Sequence, residues 1–384
     1  MSRDLLILFG MGCICIILSP LFKDSQLPIL YKQPQFSSNV IKTYEISKAT
    51  QPKSIVLLVS DFLPDTFAGS EISAYETIKY LRDRGHSITV ISTRTTVSSY
   101  NKFPIYKFDK ADKHILSTIK HADIVLFQVF GNSHEDFACI QERTKPTYIF
   151  IHITNQYQWI IQSKVSFPLT IVFNSEYTKE INPTSHSNMI VVPYVDLELY
   201  KPLRVNTVQT SIVGLMNCNR RKGGDILIKI ASKLTNVQFL AIKGAYGNEA
   251  GGNEAGGNED GGNGANANIT YIDTQNDVRP TYKKLGILIM PSMEETWGRT
   301  AVEAMASGIP VIHSEAEGLV ECMGGAGIQC NRNDIDAWCG AIQRIIGDRA
   351  YRETLRQNGF KRIEHIEQMQ REQRFALAEN IEGK

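Results

Sequence analysis

The chain has 384 residues, which is long enough for two α/β domains. Its 41 Lys and Arg residues balance 40 Asp and Glu residues, and the net charge of +1 gives no whole-protein field that would attract a nucleic acid. The seven cysteines form no C-x-x-C pair, which argues against a zinc knuckle and favours isolated buried thiols. These numbers predict a globular protein with no nucleic-acid partner.

The N-terminal residues 5–22 contain no charged side chain. As a helix they would be about 27 Å long, close to the hydrocarbon thickness of a bilayer, about 30 Å. A signal peptide and a buried element are the alternatives, but no clear small-x-small cleavage site follows. The sequence favours a single-pass membrane anchor over residues 1–22, hence a membrane localisation, and a polar stem over residues 23–53.

The first predicted domain covers residues 54–202. Residues 55–60 form an apolar strand, residues 71–84 carry apolar side chains at helical spacing, and residues 88–92 form the next strand. A small-residue turn with Gly69 and Ser70 precedes the helix, in place of the G-x-G-x-x-G of a dinucleotide site. Further on, an apolar run over residues 147–151 ends at His152, at the sheet edge where α/β proteins bind ligands. A lone histidine there is also compatible with a structural role.

The second predicted domain covers residues 203–346, followed by a charged helical tail over residues 347–384. Arg220, Arg221 and Lys222 precede two glycines and a predicted helix. Three cations in such a loop suit a diphosphate, and a solvated turn is the alternative. Repeats of GNEAG predict a flexible surface insertion over residues 247–266, after which Asn268 begins an N-x-T glycosylation sequon.

The most informative stretch lies at residues 285–312. An apolar strand over residues 285–290 is followed by Glu294 and Glu295, and Gly298 opens a helix that ends near residue 307. The N-terminus of such a helix presents unpaired N–H groups and binds phosphate. Glu295 and Glu303, eight residues apart, lie on either side of that N-terminus, where each carboxylate can accept hydrogen bonds from hydroxyls. A surface loop with two solvated acids is the alternative.

This order of acid, glycine, helix, acid, Gly and Pro resembles the E-x7-E signature of retaining glycosyltransferases of GT-B fold, especially glycosyltransferase family 4. The resemblance covers about residues 54–346 and includes Lys222-Gly223. It implies an α/β GT-B fold, with two Rossmann-like domains whose parallel sheets face a cleft. Three positions depart from the family pattern: Ala68 and Tyr194 each replace a glycine, and Leu215 or Met216 stands where the family has an early arginine.

The resemblance implies a nucleotide-sugar donor, a UDP- or GDP-sugar, with no separate cofactor. It implies metal-independent transfer of a hexose, with retention of configuration, to an unidentified glycan, lipid or protein-linked acceptor. The chemistry implied is a same-face reaction in which a donor phosphate oxygen takes the acceptor proton.

The resemblance also assigns roles to individual residues. Glu295 would contact the donor sugar and Glu303 the ribose hydroxyls. The diphosphate would lie against Lys222, either Arg221 or its neighbour Arg220, and the amides from Gly298 through Arg299 to Thr300. His152 would lie near the sugar, and Gly69 and Ser70 would reach toward the acceptor and the donor phosphate. Catalysis would depend on three side chains, His152, Lys222 and Glu295.

Two other functions are compatible with the sequence. One is a nucleotide-sugar epimerase of the same fold, and the other is a membrane-tethered, non-catalytic protein that binds sugar nucleotides. Ala68 and the missing early arginine are the features that keep the second alternative open. Released nucleotide, measured with and without acceptors, distinguishes all three functions.

Overall fold

The computed structural model describes residues 48–384 except 129–133, 154–157, 163, 202–209 and 245–266. The predicted anchor, most of the stem and the GNEAG insertion therefore lie outside the described residues. The predicted domain boundaries stay predictions.

The first half of the described chain forms a sheet of eight strands with its helices, which we call the first lobe. In chain order its elements are β1 (Ser54–Val59), α1 (Gly69–Asp83), β2 (Ser87–Ser92), β3 (Ser99–Tyr100), β4 (Phe103–Lys107), α2 (Lys113–His121), β5 (Ile124–Gln128), α3 (His134–Gln141), β6 (Thr147–Ile151), α4 (Gln158–Ile161), β7 (Leu169–Phe173), α5 (Glu176–Glu180) and β8 (Ser187–Ile190). The strand order is β3-β4-β2-β1-β5-β6-β7-β8. Every neighbouring pair is parallel except β3 and β4, which form a short antiparallel hairpin.

The second half forms a six-stranded parallel sheet, which with its helices is the second lobe. Its elements are β9 (Val213–Leu215), α6 (Gly224–Lys233), β10 (Phe239–Ile242), β11 (Ile269–Ile272), α7 (Arg279–Tyr282), β12 (Ile287–Met290), α8 (Arg299–Ala306), β13 (Val311–His313), α9 (Glu317–Met323), β14 (Ile328–Gln329) and α10 (Ile335–Gly347). The strand order is β11-β10-β9-β12-β13-β14. Strand β9 therefore lies beside β12, although more than 70 residues separate them in the chain. This adjacency brings the loops after β9 and β12 to the same edge of the sheet.

The central strands are apolar because both of their faces are covered. All four residues of β12 and five of the six residues of β1 are buried, as continuous apolar runs predict for parallel strands. The predicted isolated thiols are also found in these cores, since Cys218, Cys322, Cys330 and Cys339 are buried and unbridged.

The tail is a single 34-residue helix, α11 (Arg349–Glu382), that joins the two lobes. Its middle packs into the second-lobe core through Ile363 and Ile366, and its last turns pack into the first-lobe core through Leu377. At its end the buried carboxylate of Glu382 accepts a hydrogen bond from Arg84 Nε at 2.8 Å. Burial raises the pKa of Glu382, but the hydrogen bonds from Arg84 and Lys384 outweigh it and lower that pKa to about 2. The charged tail therefore runs as one helix from the second lobe back to the first.

The predicted membrane localisation needs correction. In the part of the chain that the structure describes, no helix is both long enough and apolar enough to cross a bilayer. This finding contradicts the single-pass membrane protein expected from the sequence, and the prediction is withdrawn. Residues 5–22, on which it rested, lie outside the described residues.

The asparagine of the predicted sequon is buried in the folded protein. Asn268 is 8% exposed, and its Nδ2 donates to the carbonyl oxygens of Ala231, Leu234 and Val237 at 3.2, 3.0 and 2.9 Å. A glycan would have to be attached through that same nitrogen. Asn268 therefore ties the start of β11 to the end of α6, and the folded chain does not present it for modification.

Candidate active site

Two loops of the second lobe meet at the carboxyl edge of its sheet, one after β9 and one after β12. Gly223 has a φ of +100°, and a Cβ there would lie 2.3 Å from Pro291 Cγ, so only glycine allows this approach. The backbone N–H of Met293 then donates to the carbonyl oxygen of Arg221 at 2.8 Å. The close backbone packing brings the predicted basic loop against the predicted acidic one.

Lys222 and Glu295 are in direct contact. Lys222 Nζ lies 2.6 Å from Glu295 Oε1, which also accepts a hydrogen bond from Ser292 Oγ at 3.1 Å. Their side chains are 32% and 14% exposed, so the pair is partly shielded from water. Asn219 accepts a hydrogen bond from the Lys222 N–H and so holds the turn that carries the lysine.

The two arginines of the basic loop are placed differently from Lys222. Arg221 Nη2 pairs with Glu294 Oε2 at 2.8 Å and its side chain is 64% exposed. The carbonyl oxygen of Arg220 accepts a hydrogen bond from Arg332, whose guanidinium also binds Asp225 at 2.6 Å. Sequence reasoning did not identify Arg332, which braces this loop from outside the E-x7-E stretch. Which of Arg220 and Arg221 faces a diphosphate stays open.

The N-terminus of α8 opens at Gly298, as predicted. Gly298 has a φ of +121°, and a Cβ there would lie 2.7 Å from Leu319 Cδ1. The first amide with an intrahelical acceptor is that of Ala301, which donates to the carbonyl of Gly298 at 2.9 Å. The N–H groups of Arg299 and Thr300 therefore precede the helical ladder, and such groups can bind an anion.

Glu303, one turn into α8, is buried and held on both oxygens. Oε2 accepts from the hydroxyl of Tyr282 at 2.9 Å, and Oε1 accepts from Arg299 Nε at 2.8 Å. Arg299 also donates to the carbonyl oxygen of Tyr194 at 2.6 Å. Burial, together with the charge of Glu303, raises the pKa of Tyr282 well above its usual range, so its hydroxyl keeps its proton. Sequence reasoning missed Tyr282, because nothing in its local pattern indicates a carboxylate 21 residues away.

His152 directly follows β6 in the first lobe, and its main chain touches the acidic loop. Its carbonyl oxygen accepts a hydrogen bond from Thr296 Oγ1 at 2.7 Å, and Thr296 in turn accepts one from Asn174 Nδ2 at 2.9 Å. The imidazole stacks on the ring of Phe150, with centroids 6.3 Å apart and an interplanar angle of 7°. Burial lowers the pKa of His152 to about 4, so the ring is neutral at pH 7.

Gly69 and Ser70 begin α1 on the opposite side of the cleft. Ser70 Oγ donates to Glu71 Oε2 at 2.9 Å, and the Ser70 carbonyl accepts a hydrogen bond from Gln128 Nε2 at 2.5 Å. A cavity of about 470 Å³ between the lobes is lined by Gly69 together with Arg299, Thr300 and Glu303. The fold thus brings predicted residues of both lobes to one cavity.

Within the described residues, no group of three or more His, Cys, Asp or Glu side chains is arranged to hold a metal ion. Asp334 and Asp336, which have D-x-D spacing, have other partners. Asp334 caps α10 by accepting from the Ala337 N–H at 3.0 Å, and Asp336 pairs with Lys233 at 2.6 Å. Metal independence stays a prediction.

The architecture, two α/β lobes that face each other and are joined by helix α11, is found in other solved structures. The structure is similar to that of a glycosyltransferase from Rickettsia africae ESF-5, with a TM-score of 0.66 and 17% identity, covering 86% of this chain and 98% of that one. It is also similar to Anabaena Alr3699/HepE, solved in complex with UDP-glucose, with a TM-score of 0.67 and 16% identity over 85% of this chain and 99% of that one. The fold is the GT-B fold of glycosyltransferases.

The sequence of the second lobe matches a protein family. Residues 201–362, which span the second lobe and the first part of α11, match the family Glycosyl transferases group 1. This match covers less than half of the chain, and over it the second lobe is similar to glycosyl transferases group 1 domains.

Curated relatives match over shorter stretches. The D-inositol 3-phosphate glycosyltransferase of Mycobacterium marinum is 26% identical over 176 residues, 42% of this chain and 37% of that protein. The capsular polysaccharide biosynthesis glycosyltransferase CapM of Staphylococcus aureus is 29% identical over 102 residues, 26% of this chain and 27% of that protein. The chain thus spans less than two fifths of the length of either relative.

Proposed function

We propose that this protein is a glycosyltransferase that moves a hexose from a nucleotide-sugar donor to an acceptor, with retention of configuration. The observation that carries the proposal is the contact of Lys222 with Glu295, at 2.6 Å, beside the N-terminus of α8. The site combines the Lys222 cation, the Glu295 carboxylate and backbone N–H groups that have no acceptor within the helix. These are the groups that a diphosphate joined to a sugar requires.

Each part of the donor has a partner in this site. The diphosphate binds Lys222 and the amides of Arg299 and Thr300, the sugar hydroxyls bind Glu295, and the ribose hydroxyls bind Glu303. Tyr282 and Arg299 orient the Glu303 carboxylate, because each of its oxygens accepts a hydrogen bond from one of them. Each oxygen keeps acceptor capacity for a ribose hydroxyl.

In the proposed reaction the bond between the anomeric carbon and the donor phosphate oxygen breaks, and the acceptor oxygen bonds to that carbon from the same face. The acceptor proton goes to a phosphate oxygen of the departing nucleoside diphosphate. Because cleavage of the bond leaves its electron pair on the phosphate oxygen, negative charge grows on the phosphate, where Lys222 and the dipole of α8 stabilise it more in the transition state than in the ground state. His152 is neutral at pH 7, so its imidazole can both donate a hydrogen bond to the sugar and accept one from it, which helps to position the sugar.

The donor nucleotide and the acceptor class are also part of the proposal. Either a UDP- or a GDP-sugar fits the role, and UDP-glucose is the first to test because Anabaena Alr3699/HepE was solved in complex with it. The acceptor is a glycan or a lipid. We propose that no metal ion takes part, so activity should survive EDTA.

The test is a panel of UDP- and GDP-sugars incubated with the purified chain, with and without glycan and lipid acceptors. Acceptor-dependent release of the nucleoside diphosphate, with a product whose anomeric configuration matches the donor's by proton NMR, supports the proposal. Free nucleotide whose release acceptors do not stimulate, together with an epimerised sugar, indicates an epimerase. Binding without any turnover indicates a non-catalytic protein.

A further inference from the structure

The ring of Tyr194 packs against α11, the helix that joins the two lobes. The guanidinium carbon of Arg374, on that helix, lies 3.8 Å from the ring centroid of Tyr194. The same carbon lies 4.2 Å from the ring centroid of Tyr80, on α1 of the first lobe. At these distances the electron-rich face of each ring attracts the cation. Arg374 therefore links α11 both to Tyr194 and to the first lobe.

Helix α11 also holds the main chain just before that ring. Gln373 Oε1 accepts a hydrogen bond from the Val192 N–H at 2.9 Å, and Gln370 Nε2 donates to the carbonyl oxygen of Pro193 at 3.0 Å. Gln370 is only 2% exposed, so its amide is shielded from water. Three consecutive residues, 192–194, thus contact the same helix, and we call them the anchored segment. One ring contact and two hydrogen bonds restrict the rotation of its peptide groups.

The anchored segment ends at the donor site. The carbonyl oxygen of Tyr194 accepts a hydrogen bond from Arg299 Nη1 at 2.6 Å, and Arg299 Nε donates to Glu303 Oε1 at 2.8 Å. The side chains of Arg299 and Glu303 are 16% and 9% exposed. A guanidinium is planar and rigid, so an oxygen that fixes one of its N–H groups also fixes the direction in which the others donate. The Tyr194 carbonyl oxygen therefore determines how Arg299 holds Glu303.

We propose that Tyr194 is a positioning residue for nucleotide binding, which acts on the Glu303 carboxylate through Arg299. The inference rests on the proposed function, in which Glu303 binds the ribose hydroxyls. Any residue at position 194 supplies a carbonyl oxygen, but the ring held by Arg374 keeps that oxygen in one place. Glycine has no side chain to hold and leaves the peptide group more conformational freedom. Loss of the ring and loss of the cation should therefore have the same effect on nucleotide binding.

A purely structural role for the ring would give a different result. Arg374 and Tyr80 also join α11 to α1, and that contact alone would serve to hold the lobes together. Its loss would then lower the stability of the protein and weaken every ligand of the cleft alike. A positioning role affects only ligands that have ribose hydroxyls, because Glu303 is the group that Arg299 orients.

The test measures binding to the full chain by calorimetry, with UDP, GDP and their 2′,3′-dideoxy analogues, which lack the ribose hydroxyls. Tyr194→Gly removes the ring and Tyr194→Phe keeps it. Arg374→Gln removes the cation without changing the anchored segment, and it decides the question if Tyr194→Gly does not fold. Arg371→Ala is the matched control, since Arg371 lies on the same helix, is 52% exposed and pairs with Glu367 one turn away. Thermal unfolding checks that each variant is folded.

Tyr194→Gly and Arg374→Gln should each weaken UDP or GDP binding by about threefold to thirtyfold, within the range of coupling in one hydrogen-bond network. Their affinity for the dideoxy analogues should be that of the wild type, because those ligands have no hydroxyl for Glu303 to bind. Tyr194→Phe and Arg371→Ala should bind all four ligands as the wild type does.

Unchanged UDP and GDP affinity in the folded variants overturns the inference. An equal loss for each nucleotide and its dideoxy analogue also overturns it, since that result indicates a structural role. Equal wild-type affinity for both forms removes Glu303 from the ribose role, and the inference falls with it. If the wild-type chain binds neither UDP nor GDP, the proposed function itself fails, which is a different result.

Discussion

Thr296 of the second lobe donates its hydroxyl hydrogen to the main-chain carbonyl oxygen of His152 in the first lobe, with an Oγ1–O distance of 2.7 Å. The same hydroxyl accepts from the buried amide of Asn174. One side chain next to Glu295 thus joins the donor-sugar end of the site to the ends of β6 and β7. Thr296 is one of the seven residues between Glu295 and Glu303 to which the E-x7-E signature assigns no role, yet it makes a direct hydrogen bond between the two lobes.

Thr296→Val keeps the shape of the side chain but removes both hydrogen bonds. The Asn174 amide and the His152 carbonyl each lose one hydrogen bond, worth about 0.5–1.5 kcal/mol. We expect a lower midpoint of thermal unfolding and roughly tenfold slower turnover, with nucleoside diphosphate affinity nearly unchanged. Thr354→Val on the exposed face of α11 is the control, and full turnover in Thr296→Val would show that this contact does not align the site.

Lys222→Ala should lower turnover by about two orders of magnitude, the scale of losing one preorganised transition-state donor. Nucleoside diphosphate affinity should fall less, because the α8 amides and Glu303 share ground-state binding. Initial rates and calorimetry on the same preparation separate the two effects. Lys233→Ala, which removes an exposed lysine paired with Asp336, is the matched control. The proposed role of Lys222 does not survive if the variant keeps wild-type kcat.

The two carboxylates of the signature should respond differently to removal. Glu303→Ala should weaken nucleoside diphosphate binding by roughly tenfold to a hundredfold, corresponding to the loss of charged hydrogen bonds worth about 1–3 kcal/mol. Glu295→Ala should spare that binding and impair use of the intact nucleotide sugar. Thermal unfolding must accompany both measurements, because Glu303 is only 7% exposed and also satisfies Tyr282. Equal loss of nucleoside diphosphate binding in the two variants would contradict this division of roles.

Asn268→Ala should destabilise the second lobe. Its amide is the donor to three carbonyl oxygens, and leaving buried acceptors unsatisfied costs about 1–3 kcal/mol. Thr270→Ala abolishes the same sequon but changes only an exposed side chain, so it should leave the unfolding midpoint where it is. Equal midpoints for the two variants in chemical denaturation would show that the Asn268 contacts contribute nothing.

The buried histidines should make the protein less stable in mild acid. Burial outweighs the hydrogen bond to Ser314 and lowers the pKa of His313 to about 4, below the ordinary value of about 6.5. The unfolded chain therefore binds a proton first, and the free energy of unfolding falls as the pH falls from about 6.5 to about 4. The slope from this one group is at most about 1.4 kcal/mol per pH unit.

His313→Gln removes that titration and should flatten the pH dependence measured by urea unfolding between pH 7 and pH 4. His86 and His152 keep part of the slope in both proteins, because burial lowers the pKa of each. The slopes of the two proteins are compared rather than their absolute free energies of unfolding. A change in packing that is independent of pH shifts the whole curve but leaves its slope unchanged. Parallel curves would exclude His313 as a source of acid sensitivity.

Local patterns in the sequence determined the secondary structure around the site. The apolar run before Glu294 is strand β12, and Gly298 begins a helix whose bounds, Arg299–Ala306, differ from the prediction by one residue at each end. The charged tail is a helix, as predicted. These features follow from hydrophobic periodicity and from the backbone freedom of glycine, which act within a few residues.

Which side chains meet in the site depends on packing between elements that are far apart in the chain. Lys222 contacts Glu295 across 73 residues because β9 pairs with β12, and strand order depends on the packing of the whole sheet. Tyr282 meets Glu303 and Thr296 meets His152 through packing between other elements. Asn268 begins a sequon, which is typical of an exposed position, yet it is buried and donates to three carbonyl oxygens. A local pattern specifies the type of each element and the face that it buries. Hydrogen-bond partners far apart in sequence meet only when the helices cover the two sheets and α11 joins the lobes.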